Sequence, residues 1–141
     1  MAIGAGVVRP QRVAPTPPRP FSAAEGAPVR EAARRGFFGT YEDYGKLLNA
    51  LEARDADEAR EMAIWFSEGA ALILLCVERR VVSTGRRIFA KLPNRGVVGN
   101  AIRRLRYETL SLDETTRLAG SVWTSLLRRA RAQRIAVPDV G

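Results

Sequence analysis

The sequence contains no histidine and a single cysteine, Cys76, among its 141 residues. One cysteine cannot form a disulfide within the chain, and zinc sites of the His/Cys type need more such ligands. Without histidine, the Ser-His-Asp and Cys-His systems and histidine acid–base catalysis are also excluded. Because Cys76 lies in an apolar run, we expect a small, buried hydrophobic side chain there. We therefore expect no catalytic residues, no metal site and no cofactor, and we predict that the protein is not an enzyme.

Lysine is also scarce, since Lys46 and Lys91 are the only two lysines among 23 basic residues. The net charge is +8, and the other 21 basic residues are all arginine. The planar guanidinium group binds phosphate and carboxylate better than an ammonium group does. A chain this basic attracts polyanions or acidic protein surfaces. Codon usage in a GC-rich genome is the alternative explanation for the many arginines.

The charges are distributed unevenly along the chain. The net charge is +4 in residues 1–40, −6 in residues 41–78 and +10 in residues 79–141. A fold that separates these segments would have faces of opposite sign, which could contact copies of the protein or acidic and basic partners. Pairing of the segments within one molecule is the alternative.

The N-terminal segment lacks the apolar stretch of a secretory signal. Six of the eight prolines lie in residues 1–36, and five of them lie between positions 10 and 20. Such a segment favours polyproline II backbone and cannot build a core of its own. We expect residues 1–36 to form an extended arm held by neighbouring subunits, although it could instead fold back onto its own domain. The expected arm contacts are Arg9, Arg12, Arg19, Phe21, Phe37 and Phe38.

Two helices are predicted in the acidic part of the chain. The first runs from about Tyr41 to Ala53 with Thr40 as its N-cap, and the second begins after Asp55, where Glu58 completes a pattern like a capping box. Residues 62–77 are apolar almost all round, which is typical of a central buried helix or of a membrane segment. The stretch has 16 residues and contains Glu68, whereas a span needs about 20 apolar residues, so we favour the buried helix. Glu68 would then need an arginine partner.

Two further helices are predicted after the turn at residues 93–96. One runs from about Val97 to Glu108, and the other begins at the capping box formed by Ser111 and Glu114. The predicted fold is therefore all-α: a small bundle of about four helices with a long, extended, Pro/Arg-rich N-terminal arm. We assign residues 1–36 to the arm, residues 37–136 to the helical domain and residues 137–141 to a C-terminal tail.

Three arginine clusters could contact nucleic acid or an acidic partner. If residues 78–90 continue the second helix, positions seven apart share a face, so the first cluster forms a ladder along it. The fourth helix could not read a DNA groove with its N-terminal end, because Asp113 and Glu114 there repel phosphate. A solvated face is the alternative for all three clusters. Their members are Arg79, Arg80, Arg86 and Arg87; Arg103, Arg104 and Arg106; and Arg128, Arg129, Arg131 and Arg134.

These features predict a non-enzymatic structural subunit of a large multi-protein assembly, located in a virion or inside the cell (the cytoplasm) and not secreted. In general character the chain resembles minor structural proteins of tailed-phage virions, such as capsid, cement or head–tail proteins, and accessory proteins of ribosomal particles, although no motif carries the resemblance. The expected partners are other protein subunits, in a homo- or hetero-oligomer, and non-specific nucleic acid. The alternatives are a ribosome-associated or other nucleic-acid-binding protein, and a small membrane-complex subunit that uses residues 62–77.

Overall fold

The computed structural model describes residues 23–79, 87–92 and 96–138. Within these ranges the backbone forms five α-helices and one π-helical turn, and no β-strand occurs. The predicted all-α class is therefore confirmed. The helices are α1 (Ala23–Glu52), α2 (Ala56–Leu74), α3 (Ile88–Lys91), α4 (Val97–Tyr107) and α5 (Leu112–Ala132), and the π-helical turn is Leu75–Arg79.

Helix α1 begins about 18 residues earlier than the sequence predicts, at Ala23 instead of Tyr41. Residues 23–36 are therefore helical, which corrects the predicted extended arm for this part of the chain. The physical reason is a buried stripe, since Val29, Ala33 and Phe37 recur every fourth residue and face the core. Pro28 lies in the second helical turn, where it removes one intrahelical hydrogen bond. The remainder of the predicted arm, residues 1–22, lies outside the described residues.

The link between α1 and α2 is only three residues long and serves both helices. At the end of α1, the N–H groups of Arg54 and Asp55 donate to the carbonyls of Leu51 and Ala50, which is the Schellman pattern. Asp55 then acts as N-cap of α2, because its side chain accepts a hydrogen bond from the N–H of Glu58. The predicted start of the second helix is confirmed.

Helices α1 and α2 pack closely and antiparallel. A Cβ placed at Gly69 would meet the side chain of Thr40, and a Cβ placed at Gly36 would lie 3.2 Å from Cγ1 of Ile73. Both pairs fit one antiparallel register. The absence of side chains at the two glycines therefore sets how near the helices approach.

Helix α2 is the centre of the bundle and contacts each of the other helices. The apolar stretch 62–77 supplies core residues, including Phe66, Ile73 and Val77, so the buried-helix interpretation is confirmed. No helix within the described ranges has the length and apolar character needed to cross a membrane. Glu68 is exposed, so the prediction that it is buried and needs an arginine partner is wrong.

The continuation of the second helix over residues 78–90 is interrupted. Leu75–Arg79 form a π-helical turn, and Arg87 has a left-handed backbone with φ 54° before α3 starts. Because a left-handed residue ends a right-handed α-helix, the helix is not continuous through residue 90. The arginine ladder depends on residues 80–86, which lie outside the described residues, so it stays a prediction.

Helices α4 and α5 follow the sequence prediction. Ser111 is the N-cap of α5 and accepts a hydrogen bond from the N–H of Glu114. The side of α5 that contains Leu118, Val122 and Leu126 is buried. After α5, Ile135 and Pro138 are buried and Val137 packs on the core. The predicted tail thus begins as part of the domain, and residues 139–141 lie outside the described residues.

Trp123 on α5 joins three helices through its ring. Its centroid lies 5.8 Å from Phe37, 6.1 Å from Tyr41 and 5.3 Å from Tyr44, all on α1. Phe66 on α2 lies 6.3 Å away. Phe37, Tyr41 and Tyr44 therefore contribute to the aromatic packing around Trp123.

Candidate interaction surfaces

No group of three or more cysteine, aspartate or glutamate side chains that could hold a metal ion occurs among the described residues. Cys76 is buried, and burial raises the pKa of its thiol. The thiol is therefore mainly protonated at neutral pH and is a poor nucleophile. The candidate interaction surfaces are formed by the arginines, the exposed apolar side chains and the acidic side chains.

Three of the predicted contact arginines are occupied within the fold. Arg103 donates to the carbonyl oxygens of Phe89 and Leu92, the second at 2.9 Å, and so ties α4 to the α3 segment. Arg104 pairs with Glu108 at 3.1 Å and with Glu114 at 3.0 Å. Arg129 pairs with Glu78 at 2.6 Å. These three guanidinium groups bind other parts of the same chain. We therefore do not count them among the arginines that are available to a partner.

Five other predicted arginines, which we call the available arginines, have no ion pair with a carboxylate in the described parts of the chain. Three of them, Arg128, Arg131 and Arg134, are exposed at the C-terminal end of α5. The other two, Arg87 and Arg106, lie beside α3, where both line one cleft. The structure therefore separates the predicted arginine surface into two places. The side chains of Arg79, Arg80 and Arg86 lie outside the described residues.

Arg87 and Arg106 line a cleft of about 310 Å³ between α2 and the α3–α4 segment. Tyr107 is 65% exposed at its mouth, and the ring of Phe89 meets it edge-on at 5.6 Å. The guanidinium carbon of Arg106 lies 5.3 Å from the centroid of Phe89. Glu68 contributes the α2 side of the cleft. We call this set of five residues the aromatic–arginine cleft.

Sequence reasoning missed this cleft because its members come from three separate helices or their ends. The local signal was an aromatic residue close to an arginine, at Arg87–Phe89 and again at Arg106–Tyr107. Neither pair is informative alone, and only the packing of α3 against α4 brings them together.

A strip of large apolar side chains follows the outer edge of α1. Phe38 is 45% exposed, Tyr41 is 39% exposed and Leu48 is 40% exposed. Positions 38, 41 and 48 fall on one side of a helix. We call these three residues the α1 strip. Phe38 lies at the surface, so its predicted contact with a neighbouring subunit stays a prediction, whereas Phe37 is fully buried and cannot make the predicted contact.

The outer face of α2 is acidic around an exposed tryptophan. Glu58, Glu61, Trp65 and Glu68 are spaced for one helix face, and all four are exposed. Beside them, burial raises the pKa of Asp43; Lys46 lowers it, and Glu42 and Glu68 raise it further. This acidic face lies on α2, whereas the exposed arginines Arg128 and Arg131 lie on α5.

The remaining predicted contacts, Arg9, Arg12, Arg19 and Phe21, lie outside the described residues.

No family model matches the sequence, no curated protein matches it, and no solved structure matches it.

Proposed function

We propose that the protein is a non-enzymatic structural subunit of a large multi-protein assembly, of the kind that forms minor components of a virion (capsid, cement or head–tail). The α1 strip is the observation that carries this proposal. In this proposal the segment 1–22, which lies outside the described residues, contacts neighbouring subunits, and the available arginines face nucleic acid or acidic protein.

The α1 strip supports a protein contact because of its composition and its place. Large contiguous apolar side chains that remain exposed mark interaction sites, and aromatic residues are enriched in protein interfaces. Phe38 is further covered by the guanidinium of Arg34 at 5.8 Å, and Arg34 itself pairs with Glu31. The strip thus has an apolar centre with a polar rim, which is the anatomy of a specific interface.

The charge distribution supports the same proposal. Glu58 and Glu61 surround Trp65 on α2, while Arg128 and Arg131 extend from the end of α5. Faces of opposite sign on one molecule favour head-to-tail contact between copies or with differently charged neighbours, and they increase the rate of encounter.

The experiment that tests the proposal compares three proteins by sedimentation velocity over a salt series. They are the full chain, a chain that starts at Ala23, and a full-length variant with Arg9, Arg12 and Arg19 replaced by glutamine. We expect the full chain to self-associate, the shortened chain to lose most of this association, and the glutamine variant to retain it at high salt. Circular dichroism of all three checks that the helices persist.

A monomeric full chain at every concentration and salt would overturn the proposal. If the monomer also bound nucleic acid tightly, the second candidate function would be favoured. That function is a ribosome-associated or other non-specific nucleic-acid-binding protein, and the aromatic–arginine cleft is the observation that favours it.

A further inference from the structure

We propose that the aromatic–arginine cleft binds single-stranded nucleic acid, with one base stacked on Tyr107 and the adjacent phosphate held by Arg87 and Arg106. This inference rests on the part of the proposed function in which available arginines face nucleic acid. It assigns that contact to one place and one strand type.

The first argument concerns Tyr107, the last residue of α4. Its ring is 65% exposed, which is far more than core packing requires, and the edge-on contact with Phe89 supports it from one side. A supported ring with a free face is the platform on which unpaired bases stack in proteins that bind single strands. Phe89 is itself half-buried and packed against the core, so the platform is anchored to the domain.

The second argument concerns the two arginines. Neither Arg87 nor Arg106 is neutralised by a carboxylate in the described parts of the chain, unlike Arg104 and Arg129. Arg106 is held over the ring of Phe89, which orients its planar guanidinium beside the stacking platform. Arginine next to an aromatic ring contacts both the phosphate backbone and the faces of bases.

The third argument concerns the size and the far side of the cleft. A volume of about 310 Å³ is at the small end of ligand pockets, which range from about 300 to 1,000 Å³. It is large enough for one nucleotide unit and too small to enclose a double helix. Glu68 on the α2 side repels a phosphate and accepts hydrogen bonds from the amino groups of a base, so the phosphate lies toward Arg87.

The test uses the full chain and fluorescence anisotropy with a short labelled DNA oligonucleotide, offered as a single strand and as a duplex. We expect the single strand to bind more tightly than the duplex. Tyr107→Ala should weaken single-strand binding about tenfold or more, while Tyr107→Phe, which keeps the stacking face, stays close to the unmodified protein.

Arginine variants separate this cleft from general positive charge. Arg106→Gln and Arg87→Asn each should reduce affinity and lower the slope of log affinity against log salt by about 0.7, the value for one phosphate contact with a single strand. Asparagine is chosen at position 87 because it tolerates left-handed backbone. Arg131→Gln is the matched control: it removes an exposed, unpaired arginine from α5 and should change affinity less than either cleft variant.

Three results would overturn the inference: equal binding of single strand and duplex, unchanged affinity in Tyr107→Ala, or equal effects of Arg131→Gln and Arg106→Gln. Competition by poly-glutamate as effective as that of the oligonucleotide would also overturn it, because the cleft would then take an acidic protein. Sedimentation of the same samples is a separate measurement. A monomer that binds single strands at the cleft would contradict the assembly proposal and leave this inference standing.

Discussion

The side chain of Thr40 on α1 occupies the space into which a Cβ at Gly69 on α2 would project. Thr40 is buried, and neither helix backbone can move aside without opening the core around it. We therefore predict that Gly69→Ala lowers the free energy of unfolding by about 1–3 kcal/mol, as overpacking does elsewhere. Urea denaturation followed by circular dichroism measures the change.

Gly45→Ala is the matched control for this prediction. Gly45 also lies within a helix, but a Cβ there meets nothing within 4 Å. Alanine should therefore raise stability by about 0.5–1 kcal/mol, because it restricts the unfolded chain more than glycine does. Equal effects of the two substitutions would show that the close approach of α1 and α2 does not limit residue 69.

Gln133 is fully buried at the end of α5, and among the described residues neither Oε1 nor Nε2 of its amide has a hydrogen-bond partner. Unsatisfied buried polar atoms cost about 1–3 kcal/mol. Gln133→Met keeps a similar length and removes both atoms, so the free energy of unfolding should rise by about that amount. Thermal and urea unfolding provide the measurement, and a loss of stability would mean that the amide has a partner in solution.

Arg134 follows α5 in a left-handed conformation with φ 58°, which is the position that glycine usually occupies in helices that end in this way. Arg134→Gly should therefore raise stability by about 1 kcal/mol. Arg54 has the same φ at the end of α1, but it also pairs with Asp113 at 3.5 Å. The gain from Arg54→Gly should be smaller, since that exposed ion pair is lost. Differential scanning calorimetry of both variants tests the order, and a larger gain at position 54 would contradict it.

The stability contribution of Asp43 depends on pH. Burial raises the pKa of this carboxyl, with Glu42 and Glu68 adding to the effect and Lys46 opposing it. Because the pKa of Asp43 is raised in the folded state, its contribution to the free energy of unfolding is most favourable below the unfolded pKa of about 3.9. That contribution is lost as the pH rises through the pKa of the folded state. Asp43→Asn should thus be more stable than the unmodified protein at neutral pH, by less than about 1 kcal/mol because the group is partly exposed.

The pH profile provides the control for that prediction. The advantage of Asp43→Asn should shrink as pH falls and vanish below about pH 4. The stability contribution of Glu114 depends on pH in the opposite direction, because its hydrogen bonds to Arg117 and Arg104 lower its pKa. Stability held by Glu114 is therefore lost as pH falls. An advantage of Asp43→Asn that did not change with pH would exclude charge as its cause.

Local signals predicted the helix starts well. The pairs Asp55–Glu58 and Ser111–Glu114 cap α2 and α5 as expected, because capping depends on residues close in sequence. The start of α1 was predicted too late because the prolines of residues 1–36 favoured an extended arm and Thr40 was a suitable N-cap. The apolar spacing of Val29, Ala33 and Phe37, which continues the stripe of the predicted helix, was the better guide.

The surfaces were less predictable than the helices. The abundance of arginine predicted a basic contact surface. It could not show that Arg104 and Arg129 pair with carboxylates, while Arg87 and Arg106 do not in the described parts of the chain. That division depends on which helices lie beside each other. Likewise, Phe37 and Phe38 are adjacent in sequence, yet one is buried and the other is exposed.

The central claim is that the α1 strip binds other protein subunits. Its most direct test is the molecular mass of a strip variant, measured by sedimentation equilibrium. The variant is Phe38→Ser with Leu48→Ser, and Val97→Ser is the control because Val97 is 79% exposed outside the strip. We predict that the strip variant is a folded monomer at concentrations where the unmodified chain and the Val97 control associate. The same mass for all three proteins would contradict the account.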